Sequence, residues 1–152
     1  MRQWLIKKAL QRYWRLTRAL TMGAQGVVFD DEGRVLLVRH GYRPGWHFPG
    51  GGVEVNETIH ETVRREVEEE TGVQTIGNPQ LFGVYANFKA FPSDHIALFL
   101  VRDWRRLRVP EPNAEIAEVG FFAPSSLPAG TIEAVRRRLR EITQEASISP
   151  DW

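Results

Sequence analysis

A cluster of glutamates between residues 57 and 70 is the group of side chains best suited to chemistry. Glu66, Glu69 and Glu70 are spaced so that on a helix their carboxylates project from one face. Glu66 and Glu70 repel each other at i and i+4, at a cost of about 0.2–0.5 kcal/mol. All three oppose the helix dipole in the last turn, by roughly 0.3–1 kcal/mol each. A sequence that accepts such costs without structural benefit often marks a functional site.

Carboxylates grouped in this way suit a hard divalent cation. Mg²⁺ takes one or two carboxylates, keeps several waters and accepts phosphate oxygens as its remaining ligands. The glycines of the preceding segment, residues 49–52, let backbone groups come close to a ligand. The chain has no cysteine, which excludes disulfides, zinc–thiolate sites and thiol nucleophiles, and a carboxylate-rich site favours Mg, Mn or Ca. The pattern predicts a metal cage that opens toward a phosphate.

The elements that must position these side chains follow from the hydrophobic pattern. Residues 57–71 are strongly helix-forming, with Asn56 as the predicted N-cap and Gly72 as the glycine C-cap. Strands are predicted at 24–29, 35–38, 81–89, 95–104 and 119–122. A shaped loop is predicted over 41–52, a plain loop over 105–114 and a last helix over 131–145. The acidic turn at 30–33 predicts a hairpin between the first two strands. Interleaved strands and helices favour a mixed sheet with helices packed against it.

The glutamate segment also resembles the signature of the Nudix (MutT-like) hydrolases. That signature is Gly, five residues, Glu, seven residues, Arg-Glu, an aliphatic residue, any residue, Glu-Glu, any residue, Gly and an aliphatic residue. It is matched without departure by Gly51, Glu57, Arg65, Glu66, Val67, Glu69, Glu70, Gly72 and Val73. Seven of these positions require a specific Gly, Glu or Arg, so a chance match at one start is on the order of one in 10⁸.

The resemblance implies a fold, a cofactor and roles for the matching residues. The fold would be an α/β/α sandwich around a mixed β-sheet, and the cofactor Mg²⁺ or Mn²⁺. Arg65 would pair with an acid of the cluster and hold it in position, and Gly72 would end the helix. The implied metal ligands are Gly50 through its carbonyl, Glu57 directly or through water, Glu66, Glu69 and Glu70.

The implied reaction is attack of water on phosphorus, with metal ions neutralising the developing charge. A general base is needed, and a carboxylate can serve. Glu66 is one candidate. In several Nudix enzymes the base lies on a loop distant in sequence, and Glu115 and Glu118 occupy that region, with Glu115 slightly favoured. The alternative for both is an ordinary surface acid.

Candidate substrate-binding residues surround the glycine segment: Arg39, Trp46, His47 and Gly51. Trp46 and His47 stand at its entrance and could form a wall of the pocket, although aromatic packing at the sheet edge explains them equally well. Arg39 and its neighbours His40, Tyr42 and Arg43 could meet a phosphate or a base, with solvated loop residues as the favoured interpretation.

The favoured function is metal-dependent hydrolysis of a phosphoanhydride bond in a nucleoside diphosphate linked to another moiety, of the nucleotide sugar or ADP-ribose type. One alternative is a pyrophosphohydrolase acting on nucleoside triphosphates or RNA 5′ ends. The other is a non-catalytic nucleotide-binding module. The signature specifies the bond and the metal, not the group beyond the phosphates.

The N-terminal segment differs in charge from the rest of the chain. Residues 1–20 hold six basic and no acidic side chains, although the whole chain carries only +1. An amphipathic helix is predicted over 3–20, packed on the body or on a second subunit of a homodimer, with an anionic membrane surface or nucleic acid as alternatives. Residues 21–146 form the predicted Nudix domain and 147–152 a frayed tail. No apolar run approaches the roughly 20 residues that span a bilayer, so we expect a cytoplasmic location.

Overall fold

The computed structural model describes Gln11, Tyr13 and residues 17–152, so most of the helix predicted over 3–20 lies outside the described residues. In the described part of the chain, neither helix is long and apolar enough to cross a membrane. The strands are β1 Thr21–Val28, β2 Val35–His40, β3 Trp46–His47, β4 Gly50–Gly52, β5 Val73–Thr75, β6 Gln80–Ala86, β7 Asp94–Val101, β8 Trp104–Arg106 and β9 Ile116–Phe122, and the helices are α1 Ile59–Thr71 and α2 Glu133–Ile142.

The strands form one mixed sheet and two smaller antiparallel ones. The four-stranded sheet has the order β4-β1-β7-β6, in which β1 runs parallel to β7 and antiparallel to β4. A second sheet has the order β3-β2-β9, and β5 pairs with β8. The predicted mixed sheet is confirmed. The pairing of β5 with β8 was not predicted, because each strand is only three residues long.

Two apolar clusters lie on opposite faces of the strands and make the fold a sandwich. Neighbouring residues of a strand point to opposite faces, so Val27 and Val28 of β1 belong to different clusters. The cluster containing Val28 includes Val63 and Val67 of α1. The cluster containing Val27 includes Val135 and Leu139 of α2. The strands therefore form the middle layer between α1 and α2, as an α/β/α sandwich requires.

Helix α1 begins two residues later than predicted. Its N-cap is Thr58, whose hydroxyl accepts a hydrogen bond from the Glu61 amide while the Glu61 carboxylate accepts one from the Thr58 amide. The predicted N-cap, Asn56, is wrong: it has a φ of 68° and lies in a turn. The reciprocal pair at Thr58 and Glu61 is the capping box, which satisfies two exposed amides where a lone cap satisfies one. The predicted end is confirmed, because Gly72 is the C-cap with a φ of 68°.

The predicted hairpin between the first two strands is largely wrong. β1 and β2 belong to different sheets and meet only in a bridge between Phe29 and Val35. The turn itself forms, since the Asp30 carboxylate accepts hydrogen bonds from the amides of Glu32 and Arg34. One edge of β1 pairs with β7 along its whole length, the other pairs with β4 at residues 23–25, and β2 pairs instead with β3 and β9.

The predicted fraying of residues 147–152 is also wrong. Ala86 at the end of β6 donates its amide to Pro150 and accepts a hydrogen bond from the Trp152 amide. Arg138 of α2 is fully buried under the tail, with its guanidinium 4.0 Å from the centre of the Tyr85 ring and 5.6 Å from that of Trp152. Glu141 neutralises this buried charge at 2.8 Å, so the tail covers a completed ion pair.

We predict that Tyr85→Phe destabilises the fold. The Tyr85 hydroxyl is buried and donates to a Glu141 oxygen at 3.1 Å, and its loss leaves a buried carboxylate oxygen short of a donor. The free energy of unfolding, measured by urea denaturation, should fall by about 1–3 kcal/mol. Tyr42→Phe is the control, because Tyr42 is 67% exposed and should change stability by less than about 0.5 kcal/mol. Equal losses in the two variants would contradict the role given to the Tyr85 hydroxyl.

Candidate active site

Arg65 lies at the centre of the acidic face of α1. Its Nε and Nη2 donate to the two oxygens of Glu57 at 2.8 and 3.0 Å. Its Nη1 donates to Glu66 at 2.6 Å and to Glu69 at 3.4 Å, and Nη2 also reaches the carbonyl of Gly52 at 3.3 Å. The predicted pairing of Arg65 with an acid of the cluster is present, and it involves three carboxylates rather than one.

Glu57 is the most firmly held of the four motif glutamates. Besides Arg65, its carboxylate accepts hydrogen bonds from the Thr62 hydroxyl at 2.7 Å and from the Glu54 amide at 3.1 Å. The hydrogen bonds from Arg65, with those from Glu54 and Thr62, lower the pKa of Glu57 to about 2. Glu57 therefore stays ionised at physiological pH and anchors the guanidinium beside the other acids.

Glu66 and Glu70 are carboxylates whose ionised forms are disfavoured. Burial raises the pKa of Glu66, against the opposing effect of Arg65. Glu70 is only 5% exposed, and burial raises its pKa to about 8, assisted by the charges of Glu66 and Glu115. The amide of Gly50 donates to Glu70 at 2.9 Å, and this hydrogen bond lowers the pKa of Glu70. Crowded oxygen ligands of this kind are the donor set that a hard divalent cation stabilises.

The carboxylates do not surround a common point. Among the described residues, no three acidic or histidine side chains are gathered in an arrangement that could hold a metal ion. Arg65 is instead the cation that contacts Glu57, Glu66 and Glu69. The chemistry of the donor set fits a divalent metal, and its binding requires the side chains around Arg65 to shift.

The glycines of β4 bring the backbone against the glutamates. A Cβ on Gly51 would lie 2.4 Å from Oε1 of Glu66, so any side chain there would displace that carboxylate. A Cβ on Gly50, whose φ is 154°, would lie 2.3 Å from the carbonyl oxygen of Ala24 in β1. Glycine at these positions lets β4 lie close to β1 and to the acidic face of α1. The use of the Gly50 carbonyl as a metal ligand stays a prediction.

The two candidate bases before β9 have different surroundings. Glu118 pairs with Arg39 at 2.8 Å and is half exposed. Glu115 follows Asn113, whose side-chain oxygen accepts the Glu115 amide at 2.9 Å, and its own carbonyl accepts the Gly41 amide. The charge of Glu115 raises the pKa values of Glu66 and Glu70, so Glu115 acts electrostatically on the motif glutamates, whereas Glu118 pairs with Arg39.

The remaining predicted substrate residues lie at the end of β2 and in β3. Trp46 is 6% exposed and packs edge-to-face on Phe122, with ring centres 4.9 Å apart, so sheet-edge packing describes it better than a pocket wall. Arg39 reaches over the Trp46 ring at 6.0 Å. His47 is partly buried, its Nε2 lies 2.9 Å from the carbonyl oxygen of Pro44, and burial lowers its pKa.

Three residues at the site have roles that the sequence analysis missed. His40 and Arg43 were interpreted as solvated. His40 is instead buried beside Glu70, and Arg43 contacts His40. Arg108 donates to the carbonyl of Glu69 at 2.9 Å, so a cation offsets the dipole at the end of the acidic helix. Arg108 is distant from the motif in sequence, and no local pattern indicates this contact.

Comparison with known proteins defines the family. A family model described as the NUDIX domain matches residues 19–146. The chain is 37% identical over 84 residues to an RNA pyrophosphohydrolase of Halorhodospira halophila, covering 55% of this chain and 37% of that protein. It is 34% identical over 88 residues to an 8-oxo-dGTP diphosphatase of Proteus vulgaris, covering 54% and 76%. A crystal structure of a MutT NUDIX hydrolase from Burkholderia pseudomallei superposes with a TM-score of 0.68 at 27% identity, covering 80% and 97%.

The fold and the glutamate motif place this protein in the class of α/β/α sandwiches that carry an acidic helix beside a glycine strand. Within that class, the chain belongs to the Nudix hydrolase family. Members of the family generally need divalent metal ions and act on nucleotide-derived substrates. The chain spans less than half the length of several of the curated relatives that it matches.

We predict that Gly51→Ala weakens metal binding, because the added methyl group would displace the Glu66 carboxylate. Displacing a group that orients a metal site typically costs about 10–100-fold in affinity, which electron paramagnetic resonance of Mn²⁺ can measure.

The control for this prediction is Gly52→Ala, since a Cβ on Gly52 meets nothing within 4 Å. It should bind Mn²⁺ as the wild type does, with an unchanged melting temperature. Equal affinities of the two variants would contradict the packing of Gly51 against Glu66.

Proposed function

We propose that this protein hydrolyses a phosphoanhydride bond in a nucleoside diphosphate linked to another moiety, of the nucleotide sugar or ADP-ribose type, with Mg²⁺ or Mn²⁺. The observation that carries the proposal is the cluster of motif carboxylates around Arg65, with Glu70 buried beside it. Carboxylates grouped in this way on a helix would bind the divalent cations that act on a pyrophosphate.

The charges around the cluster favour a substrate with two phosphates over one with three. Arg65 is engaged by Glu57, Glu66 and Glu69, and Arg39 by Glu118. Arg43 donates to His40 beside the buried Glu70. Because Arg65 and Arg39 are already paired with acids, they would add little compensation for the extra charge of a triphosphate.

The second candidate is a pyrophosphohydrolase acting on a nucleoside triphosphate or an RNA 5′ end. The names of two relatives support it, an RNA pyrophosphohydrolase and an 8-oxo-dGTP diphosphatase. A non-catalytic nucleotide-binding module is disfavoured, because no glutamate or arginine of the signature is missing.

Residues of the chain would bind the metal ion, orient the carboxylates and accept the proton of the attacking water. Glu66, Glu69 and Glu70, with Glu57 and the Gly50 carbonyl, would hold the divalent cation, which when bound neutralises charge on the phosphate oxygens. Glu115 would accept the proton of the attacking water as its oxygen bonds to phosphorus. The bond from phosphorus to the bridging oxygen breaks, and that oxygen leaves with the electron pair on the second phosphate. Arg65 would keep Glu57 and Glu66 oriented throughout.

A substrate panel tests this function. Nucleotide sugars, ADP-ribose, nucleoside triphosphates and RNA with a 5′ triphosphate would be incubated with and without Mg²⁺, and the products identified by mass spectrometry in ¹⁸O-labelled water. We expect a nucleoside monophosphate from the diphosphate derivatives and none without the metal. Faster cleavage of triphosphates would favour the second candidate, and nucleotide binding without any hydrolysis would leave only the binding module.

We predict that Glu115→Gln lowers kcat by about 100-fold or more, because a general base typically contributes 10²–10⁴-fold. Glu111→Gln removes the same charge from the same exposed loop and serves as the control. A change below about tenfold in Glu115→Gln would contradict its role as the base, and a loss near 100-fold in Glu118→Gln would then assign the base to Glu118.

A further inference from the structure

Glu70 is held from a different side than the other motif glutamates. Arg65 contacts Glu57, Glu66 and Glu69. The Glu70 carboxylate instead has the Gly50 amide at 2.9 Å from one oxygen and Nε2 of His40 at 3.6 Å from the other. The amide of Gly50 in β4 therefore hydrogen-bonds one carboxylate oxygen, and the imidazole at the end of β2 lies against the other.

His40 is in turn held by Arg43. The His40 side chain is 1% exposed, and Nη2 of Arg43 lies 2.7 Å from its Nε2. Because a guanidinium can only donate, Nε2 is the acceptor and His40 is the neutral tautomer with its proton on Nδ1. The rings of Tyr42 and His47 pack against His40, with centres at 5.2 and 5.7 Å, so the imidazole has little freedom to turn.

Charge adds a second reason for this arrangement. The negative charges of Glu66 and Glu115 disfavour the ionised form of Glu70, and the positive charge of Arg43 favours it. Nε2 of His40 faces both Nη2 of Arg43 and one oxygen of Glu70, so the imidazole links the guanidinium to the carboxylate. Buried donors without a partner beside the motif, such as Nδ1 of His40 and Nε of Arg43, are costly to stability. Costs of this kind are typical of functional sites.

The same segment contacts the loop of the candidate base. The amide of Gly41, next to His40, donates to the carbonyl of Glu115 at 2.9 Å. A Cβ on Gly41 would lie 2.9 Å from the carbonyl oxygen of Ala114, so the segment and the loop pack directly. Residues 40–43 therefore connect the buried side of the metal-binding helix with the Glu115 loop.

We propose that Arg43, acting through His40, is a positioning residue that holds the Glu70 carboxylate toward the metal-binding face of α1. The inference rests on the metal binding of the proposed function. Arg43 itself neither ligates the metal nor touches the reacting atoms; it fixes the imidazole against which Glu70 lies. Partners of this kind typically contribute about 10–100-fold to metal affinity.

The test measures the binding of Mn²⁺ to the substrate-free protein by electron paramagnetic resonance. Arg43→Met, which keeps the aliphatic stem, should bind Mn²⁺ about tenfold or more weakly. Arg43→Lys keeps a donor and the charge and should recover most of this loss. Arg34→Met is the control, because Arg34 lies just before β2, at its opposite end, and pairs with Asp30. Its affinity should equal that of the wild type.

The possible outcomes separate this inference from the proposed function. If the wild type bound no Mn²⁺, the proposed function itself would be contradicted. Should the wild type bind Mn²⁺ and Arg43→Met bind it equally or more tightly, only the positioning role falls, since Arg43 would then act merely as a like charge near the cation.

A double-mutant cycle tests the route through His40. If Arg43 acts through the imidazole, Arg43→Met should cause no further loss of Mn²⁺ affinity in a His40→Phe background. Additive losses would overturn that route. Melting temperatures of all variants, followed by circular dichroism, identify any that do not fold, and in that case the comparison of Arg43→Met with Arg43→Lys decides the question alone.

Discussion

Repulsion among carboxylates on one face of α1 is the constraint to which the site is fitted. Four glutamates of the motif lie within fourteen residues, and the last three also oppose the helix dipole. Compensation comes from three separate places in the chain. Arg65 pairs with Glu57, Glu66 and Glu69, and Arg108 caps the carbonyl end of the helix. The charge of Arg43, which contacts His40, acts on Glu70. The face is thus compensated at its centre by Arg65 and from its edges by Arg108 and Arg43.

The core determines the direction in which this face points. Val63 and Val67 are fully buried against β1 and β7, and Gly26 lets the helix lie close, because a Cβ there would be 2.8 Å from Val67. With those residues turned inward, the spacing of a helix turns Glu66 and Glu70 toward β4. Each added methyl group in this contact would force the helix outward and carry the carboxylates away from the glycine strand. Packing of the apolar side of α1 therefore fixes the geometry of its acidic side.

The sequence was sufficient for what depends on local spacing and insufficient for what depends on pairing. The acidic face, the glycine C-cap at Gly72 and the mixed sheet follow from patterns within a few residues. The capping box of Thr58 and Glu61 was also readable and was overlooked in favour of Asn56. In contrast, the hairpin failed because β1 has β4 and β7 on its two edges. The different surroundings of Glu115 and Glu118, and the burial of His40, arise from contacts between segments far apart in the chain.

The two faces of the sandwich use buried charge in opposite ways. On the α2 side, Arg138 and Glu141 are in contact at 2.8 Å, and Tyr85 donates to the same carboxylate, so the charges are matched within the protein. On the α1 side, Glu70 has a neutral imidazole at 3.6 Å and the nearby negative charges of Glu66 and Glu115. A buried pair that is complete needs no further counter-charge, whereas a carboxylate left short of positive charge gains most from a cation that arrives from outside. The imbalance at Glu70 is therefore the physical reason that this face, and not the other, suits a metal-dependent reaction.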